Sequence, residues 1–244
     1  MIAAVRRLRT VTAAMPAEME VRDGLAYSLW LPKGRPKGGV VILHGADSCK
    51  ESHHDFARFV LPVGLAAVAF DQRGHGVSAG PMDGRALEDV AAMASLLRER
   101  IGDTEAPIAL RGSSMGGCFA ILAAEPAGAT AVVAICPASV AGLRRGLHDR
   151  RFEFAADLPA LDTMFAGQDL STVVGSLEVP LLLLHAEGDE VVPVEHSREL
   201  ATHFAVPRSR LITLPGGHHR SIQHDDELQA VSLRFIEQAF AARG

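Results

Sequence analysis

Short apolar runs recur along the chain, and their hydrophobicity is continuous instead of alternating. They cover residues 40–44, 65–70, 107–110, 131–136, 180–185 and 210–214. A continuous apolar run is typical of a strand that is covered on both faces. Because helices must supply that cover, the runs predict an α/β fold with a mostly parallel sheet between layers of helices.

The segments between the runs agree with this interpretation. Residues 85–100 and 225–240 carry apolar side chains at helical spacing, as expected for helices that pack on a sheet. Ahead of the first run, two strand-like stretches flank Asp23 and Gly24, which is a hairpin signal. We therefore expect an antiparallel N-terminal edge on the sheet.

One segment interrupts the alternation of strands and helices. From Ser139 to Glu178 about forty residues pass without a predicted strand, which is too long for a structureless loop in a compact domain. We expect a single domain over residues 1–244 with a small helical insertion at 139–178. The insertion is a cap if it lies over the functional site, and otherwise a set of ordinary surface helices.

Charge and composition narrow the possible partners. The formal net charge of -5 and the pI near 6.1 give no basic field for nucleic acid or anionic lipid. No apolar run reaches the roughly 18 residues of a membrane span, and "MIAAVRRLRT" does not resemble a secretory signal. Cys49, Cys118 and Cys136 lack paired spacing, which favours a reducing cytoplasm. The oligomeric state is not readable from the sequence.

The stretch "GSSMGG" at 112–117 carries the first candidate for chemistry. Gly112, Ser114 and Gly116 meet the spacing GxSxG between a predicted strand and a predicted helix, the context that this motif requires. A strand that turns abruptly into a helix strains the backbone at the serine, and small neighbours let the two elements approach. The motif predicts Ser114 as a nucleophile, whereas Ser113→Ala should be nearly harmless.

A serine hydroxyl needs a base, and the base needs a carboxylate that orients it. Asp189 follows the run at 180–185, with Glu187 and Glu190 as substitutes, and it could also be only a turn residue. His218 and His219 follow the run at 210–214. The carboxyl ends of parallel strands meet at one edge of the sheet, so these side chains are expected to lie near Ser114.

Acyl transfer also requires donors for the developing oxyanion. The backbone amide of Met115, directly after the predicted nucleophile, is one candidate. The second is the amide of Ala46, in the loop after the run at 40–44, where Gly45 lets the backbone approach closely.

With these residues in place, the chain resembles the α/β-hydrolase superfamily over nearly its whole length. The segments that carry the resemblance are "LHGAD", "FDQRGHGVS", "GSSMGG", "LLLLHAEGDEVVP" and "LPGGHHRS". The second is similar to a DxRGHGxS signature of monoacylglycerol lipases, feruloyl esterases and serine aminopeptidases. The resemblance implies Ser114 as nucleophile, Asp189 as acid, His218 as base, and Ala46 and Met115 as oxyanion donors. His218 is preferred to His219 because the family's catalytic histidine usually follows a glycine.

The predicted function is hydrolysis of a small or medium carboxylic ester, or of a thioester, through an acyl-enzyme. Two alternatives stay open: a ligand-binding sensor with little or no turnover, and an amide or peptide hydrolase. No metal or other cofactor is expected, since the run 53–55 lacks a spaced third ligand. Phe152, Phe154 and Phe165 mildly favour an apolar acyl group, although they suit a core equally well.

Arg111 departs from the family pattern, which generally has an apolar residue at this position of the strand. A buried guanidinium needs a partner. Asp71 and Glu51 are the candidates, and an alternative is that Arg111 holds a substrate carboxylate. The residues Asp71, Arg73, Gly74 and His75 are expected to be structural, forming an ion pair and a tight turn beside the site.

Overall fold

The computed structural model describes residues 13–243. Its sheet has eight strands in the order β1-β2-β4-β3-β5-β6-β7-β8. The strands are β1 (Glu18–Arg22), β2 (Leu25–Trp30), β3 (Gly39–Leu43), β4 (Ala66–Phe70), β5 (Ile108–Ser113), β6 (Ala131–Ile135), β7 (Leu181–Ala186) and β8 (Arg210–Leu214). Each of the six apolar runs forms a strand, and the strands β3 to β8 pair in parallel. The predicted fold class is therefore confirmed.

The predicted hairpin forms the antiparallel edge. Strand β1 pairs with β2, and β2 pairs in antiparallel register with β4. The turn lies at Asp23 and Gly24, both of which adopt a positive φ. Glycine and aspartate accept this left-handed conformation at lower cost than most residues, which is why Asp23 and Gly24 predicted the turn.

Helices cover both faces of the sheet. They are α1 (His54–Phe59), α2 (Ala86–Ile101), α3 (Met115–Leu122), α4 (Val140–His148), α5 (Leu158–Phe165), α6 (Leu170–Ser176), α7 (Val194–Ala201) and α8 (Asp226–Ala241), with short 3-10 helices at Lys50–His53 and Leu61–Val63. Alternate residues of β3 show the two layers: Val41 faces the core under α2 and α3, and Val40 faces the core under α1 and α8.

The segment 139–178 is helical, as expected, and it contains α4, α5 and α6. Helix α6 packs against α3 and α7, whereas α4 and α5 pack on each other. The chain between α4 and α5 crosses the loop after β4, where Ala156 forms a bridge with Met82 and Phe154 stacks on His75 with ring centroids 4.1 Å apart. Whether this segment acts as a cap stays a prediction.

The parallel topology brings the loops after β3, β5, β6, β7 and β8 to one edge of the sheet. This edge carries the residues that the sequence singled out. In the described part of the chain, no helix is both long and apolar enough to cross a membrane. The stretch "MIAAVRRLRT", in which no secretory signal is expected, lies within residues 1–12, outside the described residues.

Candidate active site

Ser114 lies on a sharp bend between a strand and a helix. Strand β5 ends at Ser113, helix α3 begins at Met115, and Ser114 between them has φ 54° and ψ −118°. A non-glycine residue rarely adopts this conformation, and the strain persists only where the surrounding structure holds it. The backbone of Ser114 is held on both sides: its N–H donates to the Ile135 carbonyl, and its carbonyl accepts from Ala138 and Cys118.

Glycines at two positions make the bend possible. A Cβ atom on Gly116 would lie 2.5 Å from the carbonyl oxygens of Leu43 and His44, closer than real contacts permit. A Cβ atom on Gly112 would collide with the backbone of Gly116. Helix α3 can therefore begin directly against the ends of β3 and β5 only with glycine at both places.

Of the two adjacent histidines it is His219 that contacts Asp189, and the expected pairing of Asp189 with His218 is wrong. His219 Nδ1 lies 2.7 Å from Asp189 Oδ2, and the His219 side chain is largely buried. Gly216 and Gly217 both adopt positive φ, and the turn is closed by hydrogen bonds between His218 and Ser221. This turn leaves His218 exposed and directs the next residue inward.

The Asp189 carboxylate is inaccessible to solvent and accepts hydrogen bonds from both sides. The amides of Val191 and Val192 donate to Oδ1, each at 2.8 Å. Burial acts to raise the pKa of Asp189, but the hydrogen bonds from His185, from His219 and from the two amides hold this pKa well below its usual range. Asp189 is thus an ionised group that can orient an imidazole.

His185 is a neighbour of Asp189 for which the sequence analysis predicted no role. Its Nε2 lies 3.3 Å from Asp189 Oδ2 and 2.9 Å from the Val192 carbonyl oxygen, so it donates to both. Its Nδ1 lies 2.7 Å from Ser197 Oγ, which donates to it from helix α7. The sequence signal for such a role is the histidine at the end of the apolar run that forms β7, because a buried imidazole requires hydrogen-bond partners.

A cavity of about 200 Å³ opens beside Ser114. Three segments line it: the loop after β3 with Gly45, Ala46, Ser48 and Ser52, the bend with Ser113 and Ser114, and the loop after β8 with His219, Arg220, Gln223 and His224. The structure therefore brings Ser114, His219 and Ala46 to one cavity. It does not bring His218 there.

The two predicted oxyanion donors belong to two segments, the start of α3 for Met115 and the loop after β3 for Ala46. Met115 is the first residue of α3, so no preceding helical turn accepts its N–H. The loop of Ala46 is held by His44, whose Nε2 accepts from the Gln72 amide at 3.0 Å and whose carbonyl accepts from the Gln72 side chain. Burial, followed by the neighbouring His75, lowers the pKa of His44 to about 4, which keeps it neutral as an acceptor.

Asp71 and Arg73 are structural, as expected, but each has another partner. Lys50 Nζ donates to Asp71 at 2.8 Å, and Lys50 also forms an ion pair with Glu51. Arg73 forms a two-point contact with Asp89 at the start of helix α2, with N–O distances of 2.8 and 3.0 Å. These ion pairs fix the loop after β4 beside the cavity.

Arg111 is fully buried, and neither expected carboxylate is its partner, since Lys50 holds both Asp71 and Glu51. Its guanidinium carbon lies 3.9 Å from the centroid of the Phe56 ring, and its Nη2 donates to the Gln223 carbonyl at 3.0 Å. Burial lowers the pKa of Arg111 to about 10, so it remains a cation at neutral pH. It lies outside the cavity wall, so it is not placed to contact a substrate carboxylate directly.

The cavity also receives none of the three predicted aromatic side chains. Phe165 is buried beside Phe119, and Phe152 stacks on Phe154, which in turn stacks on His75. Among the described residues, none of the three phenylalanines lines the cavity beside Ser114. The packing therefore supports a place in the hydrophobic core for Phe165.

The run 53–55 contributes to a partly exposed polar cluster next to the cavity. Asp55 accepts from His224 at 2.8 Å and from Gln229 at 2.6 Å, which ties α1 to the loop after β8. Both ring nitrogens of His53 are buried without a partner. Burial, followed by the charge of Arg111, lowers the pKa of His53 to about 3. His53 is thus held neutral.

Within the described residues, one group could supply three metal ligands: Cys136, Asp189 and His219 have ligand atoms within 4.8 Å of one another. A metal ion there would have to displace the hydrogen bond between Asp189 and His219. Burial raises the pKa of the Cys136 thiol, which disfavours the thiolate that a metal requires. The prediction that the protein works without a cofactor stays a prediction.

Comparison with known proteins places this geometry in a family. The family model described as serine aminopeptidase, S33 matches residues 34–152 and 159–227. The chain is 28% identical to a monoacylglycerol lipase of Mycolicibacterium smegmatis over 250 residues, which covers 83% of this chain and 88% of the relative.

Two solved structures share the fold. The monoacylglycerol lipase of Paleococcus ferrophilus superposes with a TM-score of 0.67 at 21% identity, covering 89% of this chain and 98% of the lipase. Est1E from Butyrivibrio proteoclasticus, solved with ferulic acid bound, superposes with a TM-score of 0.69 at 20% identity, covering 93% of this chain and 98% of Est1E.

Proposed function

Because the chain belongs to the serine aminopeptidase S33 family, a group of α/β-hydrolases with esterase and lipase relatives, we propose that it is a carboxylic ester hydrolase that works through an acyl-enzyme on Ser114. One observation carries the proposal. Ser114, on a strained bend, and His219, hydrogen bonded to the buried Asp189 carboxylate, line the same cavity.

The proposed reaction begins when Ser114 Oγ attacks the ester carbonyl. His219 Nε2 accepts the hydroxyl proton, and Asp189 stabilises the imidazolium through the hydrogen bond at Nδ1. His219 then returns the proton to the departing alcohol, which leaves the acyl group on Ser114. A water molecule, activated by His219, attacks this acyl-enzyme, and the acid is released.

Backbone amides are the proposed oxyanion donors. The carbonyl oxygen becomes negative as Ser114 attacks, and the amides of Ala46 and Met115 would donate to it. Their support is positional: Ala46 lines the cavity, and Met115 opens a helix whose N-terminal dipole favours negative charge.

A reactive-serine probe tests the proposal. A fluorophosphonate should label the wild type and Ser113→Ala, and peptide mapping should find the adduct on Ser114. Ser114→Ala should lose both the label and the hydrolysis of short acyl esters. Full esterase activity in Ser114→Ala would refute Ser114 as the nucleophile. A wild type whose melting temperature rises with short acyl esters, but which hydrolyses none of them, would refute the esterase and favour a sensor.

A further inference from the structure

The wall of the cavity beside Ser114 exposes polar and apolar surface in similar amounts. Around the bend it carries the hydroxyls of Ser48 and Ser52, the amide side chain of Gln223 and the imidazole of His224. Its remaining carbon surface comes from glycine, alanine and short side chains. Two pairs of these polar groups bond to each other, Ser48 with Ser52 and Gln223 with His224, so covering them leaves few donors or acceptors without a partner.

The charge of the wall is one-sided. Arg220 is exposed at the cavity, and its guanidinium forms no ion pair within residues 13–243. The lining includes no carboxylate among the described residues. Two carboxylates bond to wall residues from behind, Asp189 to His219 and Asp55 to His224.

A second cation lies behind the wall. Arg111 is buried without an ion pair in the described chain, and it donates to the carbonyl of the wall residue Gln223. The nearby Asp55 carboxylate offsets part of its charge. The positive charge that a substrate in the cavity can reach is therefore that of Arg220, and a guanidinium is the group that recognises a carboxylate.

We propose that the preferred substrates are small esters that carry a carboxylate close to the scissile bond, with Arg220 as the residue that determines this specificity. The inference depends on the proposed esterase function. A cation at this position also serves the reaction, because an anionic substrate repels the developing oxyanion unless a neighbouring charge offsets the repulsion. The cavity volume of about 200 Å³ suits a small acyl or alcohol group on this side of Ser114.

Two matched substrate pairs test the inference. Monomethyl succinate and methyl pentanoate differ by a carboxylate in the acyl half, and acetoxyacetate and propyl acetate differ by one in the alcohol half. In at least one pair, kcat/KM should favour the anion by about tenfold or more, the effect expected of one hydrogen bond to a charged group. Arg220→Gln should remove most of that preference, and Arg220→Lys should keep part of it.

Arg208 supplies the matched control. It is an exposed arginine just before β8, at the sheet edge opposite the site, so Arg208→Gln should keep the wild-type preference. If the wild type hydrolyses each neutral ester as well as its anionic partner, or better, the inference is overturned and the esterase proposal remains intact. A preference that survives in Arg220→Gln would overturn the role of Arg220. If Ser114 is not labelled and no ester is cleaved, the function and the inference fail together.

Discussion

The His219 imidazole and the Asp189 carboxylate lie 2.7 Å apart although thirty residues separate them in the chain. Parallel pairing of β7 and β8 brings their loops together, and the glycine turn at 216–217 decides which of two adjacent histidines faces inward. His219→Ala should therefore lower kcat by at least about a thousandfold, whereas His218→Ala should stay within about threefold of the wild type.

Steady-state hydrolysis of a short acyl ester measures this pair of variants, with circular dichroism as a control for folding. A large loss in His218→Ala together with an active His219→Ala would contradict the arrangement.

His185 should support the reaction indirectly, because it donates to the same oxygen of Asp189, Oδ2, that His219 contacts. His185→Leu removes this donor and leaves Ser197 and the Val192 carbonyl without their partner, which should cost about 1 to 3 kcal/mol of unfolding free energy and lower kcat. His185→Gln keeps a donor and should recover part of both quantities. Urea unfolding and steady-state kinetics measure them, and equal effects from Leu and Gln would refute the hydrogen-bonding role.

Arg111 should affect stability and activity in opposite directions. Its guanidinium is buried without an ion pair in the described residues, so Arg111→Met removes a desolvation cost and should raise the unfolding free energy by about 1 kcal/mol or more. The same change breaks the hydrogen bond to Gln223, which holds the loop of His219, and should lower kcat. Thermal unfolding and kinetics test this, and a destabilised Arg111→Met with normal kcat would contradict it.

Stability should decline as the pH falls below about 6.5, the ordinary pKa of histidine. The folded-state pKa values of His44 and His53 are lowered to about 4 and about 3, so between these values and 6.5 the unfolded chain binds protons that the folded chain does not. Each group then costs up to about 1.4 kcal/mol per pH unit on acidification. Denaturant unfolding at pH 7 and pH 5 should show a shallower decline in His53→Gln, and an unchanged decline would be contrary evidence.

The bend at Ser114 should tolerate a methyl group at one glycine and not at another. Gly112→Ala places a Cβ atom against the backbone of Gly116 and should destabilise the fold by about 3 kcal/mol or more. In the matched variant Gly117→Ala the new atom would lie 3.2 Å from Pro137 Cα, a close contact that a small shift relieves, so the cost should be about 1 kcal/mol. Urea unfolding of the two variants compares these costs, and equal stability would contradict the packing argument.

The sequence by itself determined the fold class and most of the site. Continuous apolar runs can be satisfied only in strands covered on both faces, which led to the parallel sheet and to one edge for the functional loops. The glycines around Ser114 identified the bend, because the local requirement for small residues is visible within the six residues 112–117. Asp189 and Ala46 followed from their places after strands.

Tertiary structure decided what depends on orientation. Whether His218 or His219 faces Asp189 is set by two left-handed glycines and by the bond to Ser221, which no spacing rule encodes. The partner of Arg111 is an aromatic face from α1 and a carbonyl 112 residues away, and such a contact exists only after the sheet and helices have packed. The type of each residue can be read from the sequence. The direction of its side chain and the groups that it contacts depend on residues that are distant in the chain.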